Sequence, residues 1–395
     1  LSKNYGKFIG LKGVHMKNIL VIVPHLKEGG GLTEFVRHLY TGLVNNKSYH
    51  VVIITEATLP ETRIPKFSDK IKIIKAPAVT KIKDYVNFWN RVAHNSNKYD
   101  YVHFHTDSLT KFYPYFVMRN KENVIVHSHS STNERITKNV IKRMLHKIGK
   151  RIVHKGKFKK FACSNFAAKW LFNDDSYIQV NNAIDLEKFK FDKNQRKKIE
   201  EEFNLKGKTV YGHVGRFLPV KNQSRVVEIF AKIYSLDRDS VLFFFGEGGE
   251  RTQVEYLVKS LGLEDVVYFM GFRQDVNRFL NVLDWIIFPS LYEGLPITLI
   301  EAQANGVNVL FSDTITTQVK LLETSKSFSL SEDNSVVADR MLHVKLETNK
   351  RILACSFLKE KGYDLNDLVQ DMHEFYSTYD HAGWNRKTIY EVKEN

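Results

Sequence analysis

Two carboxylates eight residues apart, Glu293 and Glu301, bracket a turn in the run Ser290-Leu-Tyr-Glu-Gly-Leu-Pro-Ile-Thr-Leu-Ile-Glu301. The apolar Trp285-Ile-Ile-Phe288 before it reads as a buried strand, and Pro296 onward reads as a helix. Glu293 then lies in the strand-to-helix turn and Glu301 in the helix's opening turns. Between them, Gly294 and Leu295 bring backbone N–H groups to a helix start, a natural seat for phosphate. Hydroxyl-gripping carboxylates on both sides of an anion site suit a sugar joined to a nucleoside diphosphate. The alternative is a pair of solvated carboxylates flanking a helix.

A second cluster supplies the matching cations. In Gly212-His-Val-Gly-Arg-Phe-Leu-Pro-Val-Lys-Asn222, the strand Val210–Val214 ends in Gly215-Arg216, and Lys221 follows at the start of a helix. An arginine can bridge two phosphate oxygens while a lysine adds a compact charge, so the pair could neutralise a diphosphate without metal. Glu28-Gly-Gly-Gly-Leu32 follows the strand Ile19–Val23 and opens a helix. Its glycines, Gly30 and Gly31 among them, let backbone approach a ligand, but they do not form the Gly-x-Gly-x-x-Gly dinucleotide fingerprint. His103 with His105, and His127 with His129, sit at strand ends in His-x-His spacing, which turns both members of a pair to one face. No zinc-hydrolase pattern accompanies them, so satisfied burial is expected for His103 and His127.

These groups need a scaffold that gathers strand ends. Apolar runs alternate with helical patterns nearly throughout: Ile19–Val23, His50–Ile54, Tyr101–Phe104, Val124–Val126 and Phe161–Ala162, then Val210–Val214, Val241–Phe245, Val266–Phe269, Trp285–Phe288 and Val309–Phe311. This alternation predicts parallel sheets with crossover helices, hence two doubly wound α/β domains. The expected division is a leader at 1–15, disordered, a first domain at 16–180, a second at 181–364, and a helical tail at 365–395 that packs back on the first domain.

Composition narrows the class. A chain of 395 residues with 43% hydrophobic content supports two ordinary domains. No apolar stretch reaches the roughly 18 residues of a spanning helix. Cys163 and Cys355 stand alone, which supports neither a disulfide framework nor a zinc site and points to the cytoplasm. The net charge of +15 is concentrated between Glu134 and Lys160, with eleven Lys or Arg and one acid. Ile136, Val140, Ile141, Met144, Leu145, Ile148 and Ile152 recur there at helical spacing, which predicts a basic amphipathic helix suited to an anionic membrane. No nucleic-acid module is present, so nucleic acid is not an expected partner.

The Glu-x7-Glu segment, the Gly-Arg-x4-Lys turn and the Gly-Gly loop together resemble the retaining glycosyltransferases of family 4, which have the two-domain GT-B architecture. Phe161-Ala-Cys-Ser164 and His127-Ser-His-Ser130 are similar to the branch that builds bacterial capsules and exopolysaccharides. The resemblance implies two Rossmann-like domains facing a cleft, with the donor, UDP-sugar favoured over GDP-sugar, bound mainly by the second. It assigns His129, Arg216, Lys221 and Glu293 to catalysis. It assigns Gly30, Gly31, Gly215, Arg216, Lys221, Arg273, Glu293, Gly294, Leu295 and Glu301 to the donor. It further implies retention of anomeric configuration without metal or other cofactor, a glycan or lipid-linked acceptor, and a peripheral position on the inner membrane face. A sugar-nucleotide epimerase of similar fold is the competing activity, told apart by release of free epimer without acceptor. A non-catalytic partner subunit is a further alternative, against which the intact Arg216, Lys221, Glu293 and Glu301 set argues.

Overall fold

The computed structural model describes residues 16–27, 29–46, 48–56, 66–132, 134–172, 176–343, 348–378 and 384–392. The expected leader at 1–15 and Glu28 lie outside them. Fourteen strands form two sheets among the described residues: β1 (Lys17–Val23), β2 (Tyr49–Thr55), β3 (Ile71–Lys75), β4 (Tyr101–Thr106), β5 (Val124–Ser128), β6 (Lys159–Ala162), β7 (Tyr177–Val180), β8 (Thr209–Val214), β9 (Ser240–Phe245), β10 (Val267–Phe269), β11 (Trp285–Phe288), β12 (Asn308–Ser312), β13 (Lys326–Phe328) and β14 (Ile389–Val392). The first sheet runs β14-β7-β6-β5-β4-β1-β2-β3 and the second β10-β9-β8-β11-β12-β13. The pairings are parallel except for β14, which lies antiparallel on β7. Central strands such as Ser240–Phe245 are buried at every position, as expected where helices cover both faces. The α/β, doubly wound GT-B architecture is therefore observed.

Each sheet reverses its strand order once. The first does so between β1 and β4, the second between β8 and β11. Ligands of open α/β sheets bind beyond the carboxyl ends at such a reversal.

The helix Leu365–Ser377 is held to the first sheet. Leu368, Val369, Met372, Phe375 and Tyr376 bury in one cluster with Phe35, Val36, Leu39, Tyr40 and Leu43 of the helix Gly31–Asn46. Burying each such apolar side chain is worth about 2 kcal/mol. Gly42 permits the approach, because a Cβ there would stand 2.6 Å from Val369 Cγ2. Asp364 starts this helix by accepting from the amides of Asn366 (2.8 Å) and Asp367 (3.2 Å). The tail does not stay helical: Ile389–Val392 closes the edge of β7, adding a strand too short for a sequence pattern to reveal. β3, β7 and β13 also lie outside the runs read from the sequence: β3 and β13 carry lysines, and β7 a glutamine, within their short apolar stretches.

The basic segment also differs from one continuous helix. Asn139 takes an extended backbone and its side chain accepts from the Lys142 amide at 2.9 Å, so a new helix starts at Val140 and runs to Lys155. Lys159 and Lys160 belong to β6. Within Val140–Lys155, His146, Gly149 and Val153 face the protein, while Val140, Ile141 and Met144 are exposed at 68%, 66% and 56%.

Candidate functional site: two strand-order reversals facing one cleft

At the second reversal, β8 ends in Gly215, whose amide donates to the Phe245 carbonyl at 2.9 Å. Arg216 is exposed beyond it, and no carboxylate pairs with it among the described residues. The chain makes a short 3-10 turn, Pro219–Lys221, and Asn222 follows in a left-handed conformation (φ 55°). Its side chain donates to the Pro289 carbonyl at 3.3 Å, while the Leu291 amide donates to the Val220 carbonyl at 2.8 Å. These bonds tie the loop after β8 to the loop after β11. Their result is contact between Lys221 Nζ and Glu293 Oε1 at 2.5 Å, with the ammonium 4.8 Å from the centre of the Phe288 ring. Both side chains keep under a fifth of their surface exposed.

The turn that follows is pressed against the first domain. Ser164 Oγ donates to the Gly294 carbonyl at 2.7 Å, and Asn182 Nδ2 donates to the Leu295 carbonyl at 2.9 Å. A Cβ on Gly294 would lie 2.3 Å from the His129 carbonyl oxygen, so only glycine fits. With both carbonyls engaged, the Gly294 and Leu295 amides are left without an acceptor among the described residues. The helix Ile297–Ala304 carries Glu301, partly exposed on its cleft side. Burial by the surrounding protein pushes the Glu301 carboxyl up to about 7; Lys188 opposes that rise and Glu34 adds to it.

From the first domain, the loop before the helix Gly31–Asn46 closes on itself. The Gly30 amide donates to the Lys27 carbonyl, and the Lys27 amide donates to Thr33 Oγ1 at 2.9 Å. Gly29 adopts φ 67° with the Phe272 ring against it, and a Cβ on Gly31 would touch Ile297 at 3.6 Å. Gly31 therefore faces the helix that bears Glu301 and Gly29 the loop after β10, while Gly30 between them packs on Lys27 and Thr33 of its own loop.

His129 follows β5, and its Nε2 lies 2.9 Å from His105 Nδ1. His105 Nε2 and His103 Nδ1 each lie 2.9 Å from the Tyr40 hydroxyl, and His103 Nδ1 is 2.8 Å from the Tyr376 hydroxyl. Burial brings His129 down to about 3 and holds His103, His105 and His127 well below the usual imidazole range. All four rings are neutral at pH 7. The expectation of satisfied burial fails for His127, whose two ring nitrogens have no hydrogen-bond partner among the described residues, and holds for only one nitrogen of His103. Among the described residues, His103, His105 and His127 have nitrogens within 4.8 Å of one another and could hold a metal ion, although both His105 nitrogens are already bonded and no described carboxylate joins them.

Thus Arg216, Lys221, Glu293, Gly294 and Leu295 gather at one reversal, with Glu301 on the adjoining helix and Gly30, Gly31 and His129 opposite. Arg273 lies in the loop after β10. Its guanidinium is held by Asp275 at 2.7 and 2.8 Å and lies over the Phe279 ring. Lys188 beside Glu301 and Ser164 behind Gly294 lie in segments whose wording was legible, yet nothing in the sequence marks their roles. His25, Glu56, Asp107 and Lys111, at the first reversal, carry no spacing signal at all.

The fold is the one shared by solved GT-B glycosyltransferases. Residues 194–339 match the family described as Glycosyl transferases group 1. The putative glycosyltransferase EpsF of Bacillus subtilis (strain 168) is 28% identical over 297 residues, 72% of this chain and 76% of its own length. A UDP-Gal:alpha-D-GlcNAc-diphosphoundecaprenol alpha-1,3-galactosyltransferase of Escherichia coli is 32% identical over 150 residues, 37% of this chain but only 39% of that enzyme. The crystal structure of Anabaena Alr3699/HepE in complex with UDP and glucose superposes with a TM-score of 0.71 at 16% identity, covering 92% of this chain and all of that one. Residues 194–339 thus carry the region that glycosyl transferases of group 1 share, and the chain is similar to a named glycosyltransferase over most of its length.

Proposed function

We propose that the protein is a retaining, family 4 transferase that moves a hexose from a UDP-sugar to a lipid-linked glycan in surface polysaccharide assembly. The observation that carries this reading is the convergence at the β8/β11 reversal: Lys221 on Glu293 at 2.5 Å, Arg216 unpaired beside them, and two vacant amides in the next turn. Lys221, Arg216 and those amides stabilise charge growing on the departing diphosphate, without a metal. Glu293 accepts from hydroxyls of the sugar and Glu301 from those of the ribose. In the overall exchange the anomeric carbon leaves the diphosphate oxygen and bonds the acceptor oxygen, whose proton ends on UDP or solvent. Neutral His129 offers Nδ1 to a sugar hydroxyl, its Nε2 being engaged by His105.

The lipid-linked acceptor draws support from the relatives. The Escherichia coli enzyme acts on a diphosphoundecaprenol-linked sugar, and a Campylobacter jejuni relative is named for a diphospho-undecaprenol acceptor. The helix Val140–Lys155 supports a place on the inner membrane face. Val140, Ile141 and Met144 stand exposed among Lys142, Arg143 and Lys147, the chemistry of an anionic interface. No helix among the described residues is long and apolar enough to cross a membrane.

The test is thermal-shift binding of UDP, GDP and their sugars, followed by turnover. UDP is expected to stabilise the protein and GDP not. An anomer-resolved product of inverted configuration, or free epimer formed without acceptor, contradicts the reading. Sedimentation with anionic vesicles at low salt tests the helix, and absence of binding removes it from the proposal.

A further inference from the structure

His129 ends a series of hydrogen bonds that begins on the helix Leu365–Ser377. The Tyr376 hydroxyl of that helix lies 2.8 Å from His103 Nδ1. The Tyr40 hydroxyl, on the helix Gly31–Asn46, lies 2.9 Å from both His103 Nδ1 and His105 Nε2. His105 Nδ1 is 2.9 Å from His129 Nε2, and the two hydroxyls are 3.3 Å apart. Tyr40, His103, His105 and Tyr376 are buried, whereas His129 is half-buried. Ring centres of Phe35 at 5.1 Å and His127 at 4.0 Å pack the His129 ring in place. Its Nδ1 has no partner among the described residues. Unlike the free nitrogens of His103 and His127, that atom is not shut off from solvent.

Which nitrogen of each ring holds the proton follows from matching donors to lone pairs. A neutral imidazole has one N–H and one lone pair, and a phenol has one O–H. Burial keeps both phenols protonated. A phenol O–H directed at an imidazole lone pair joins the most acidic proton of this set to its most basic acceptor. Tyr376 has one imidazole nitrogen in reach, His103 Nδ1. That lone pair takes one proton, which leaves Tyr40 to donate to His105 Nε2. His105 then carries its proton on Nδ1 and donates it to His129 Nε2, so the His129 proton sits on Nδ1. In the reversed series only one phenol meets an imidazole lone pair, and the other is left to the 3.3 Å contact between hydroxyls. His103 Nε2, buried without a partner among the described residues, is unmet either way and does not decide between them.

We propose that Tyr40 and His105, with Tyr376 behind them, lock His129 in the tautomer that presents an N–H at Nδ1, so that His129 meets its substrate as a neutral hydrogen-bond donor and not as a base. The assignment rests on the transferase reading above and adds the direction of the His129 bond: a substrate oxygen must offer it a lone pair. A general base would need the lone pair at Nδ1 instead. Tyr40, His105 and Tyr376 are positioning residues, since each is buried and acts through the next. The helix Leu365–Ser377 thereby bears on the site. By occupying His103, Tyr376 releases the Tyr40 proton for His105.

The experiment uses the full chain with nitrogen-15 histidine, read by long-range proton–nitrogen correlation, which separates a protonated ring nitrogen from one bearing a lone pair. Difference spectra against His129→Gln and His105→Gln assign the two rings. Both are expected to be protonated at Nδ1 and bare at Nε2, with at least about a five-fold preference, the weight of one net hydrogen bond. In Tyr40→Phe the preference is expected to collapse toward equal populations while the UDP-induced thermal shift is retained. Tyr376→Phe gives the Tyr40 proton a choice of two imidazoles and is expected to weaken the preference in part. It serves as the second variant should Tyr40→Phe fold poorly. A wild-type His129 protonated at Nε2, or at both nitrogens, overturns the proposal. So does a preference that both tyrosine variants leave unchanged. Absence of any UDP-induced shift in the wild type removes the transferase reading instead, and the tautomer measurement, made without ligand, stands apart from it.

Discussion

Lys221 and Glu293, seventy-two residues apart in sequence, meet at 2.5 Å because β8 and β11 are neighbours across the reversal of the second sheet. Each is the other's counter-ion in the ligand-free protein. On the proposed reading a donor replaces one partner for each: a phosphate oxygen for the lysine, which stays neutralised, and sugar hydroxyls for the glutamate, which exchanges an ion pair for hydrogen bonds.

Lys221→Ala is accordingly expected to lower transfer by roughly 100- to 1,000-fold, the usual loss when one donor to a developing oxyanion is removed. It also leaves Glu293 without its cation and facing the diphosphate. The double variant Lys221→Ala, Glu293→Gln should then bind UDP better than Lys221→Ala alone. A double-mutant cycle on kcat/KM and on UDP affinity checks this, and strict additivity would show that the two groups act independently.

Glu301 should impose a pH dependence on the donor. Its carboxyl titrates near 7 in the folded chain instead of near 4.5. Because the folded state holds the proton more tightly than the unfolded chain, stability falls as pH rises from about 4.5 through 7. Glu301→Gln is therefore expected to stabilise the ligand-free protein at pH 8, by at most about 3 kcal/mol. In the wild type, UDP-sugar affinity should strengthen between pH 6 and 8 as the carboxylate forms, and Glu301→Gln should flatten that profile. Isothermal titration across the range reads both effects.

What could be read from the sequence follows the length scale of each interaction. The strand-helix alternation predicts both sheets because their central strands are long and apolar on both faces. Arg216, Lys221, Glu293 and Glu301 are legible because strand-end turns of one sheet must converge. At Arg273 the guanidinium is held by Asp275 only two residues on, a local pairing that spacing alone does not reveal. The break at Asn139 depends on a side-chain cap within a helical pattern. The cluster of His25, Glu56, Asp107 and Lys111 at the first reversal joins three separate loops and exists only once β1 lies between β2 and β4.

The four neutral imidazoles of the first domain should make the protein acid-labile. His103, His105, His127 and His129 titrate normally near 6.5 when unfolded but resist protonation when folded. The unfolded state therefore gains protons first, and stability complete above pH 6.5 is lost as pH falls below it. Each ring costs about 1 kcal/mol at pH 5.5. Urea midpoints at pH 7.5 and 5.5 should differ sharply, and equal midpoints would mean that these rings carry protons in the native state.

Gly294→Ala tests whether the contact between the domains positions the chemistry. The added Cβ would meet the His129 carbonyl oxygen at 2.3 Å, its carbon at 2.9 Å and Ser130 Cα at 3.1 Å, all backbone atoms that no rotamer can move aside. Relief must come from displacement of the turn, which weakens the Ser164 and Asn182 hydrogen bonds and shifts Glu293 and the neighbouring amides relative to His129. A displacement near 1 Å can cost about 100-fold in rate when reacting groups are held in place by the scaffold. Transfer is thus expected to fall at least ten-fold, while UDP, gripped by Lys221 and Glu301 within one domain, loses far less affinity. Measuring kcat alongside UDP affinity distinguishes this from simple unfolding, which would remove both, and a wild-type rate in Gly294→Ala would show that the turn can relax without moving the site.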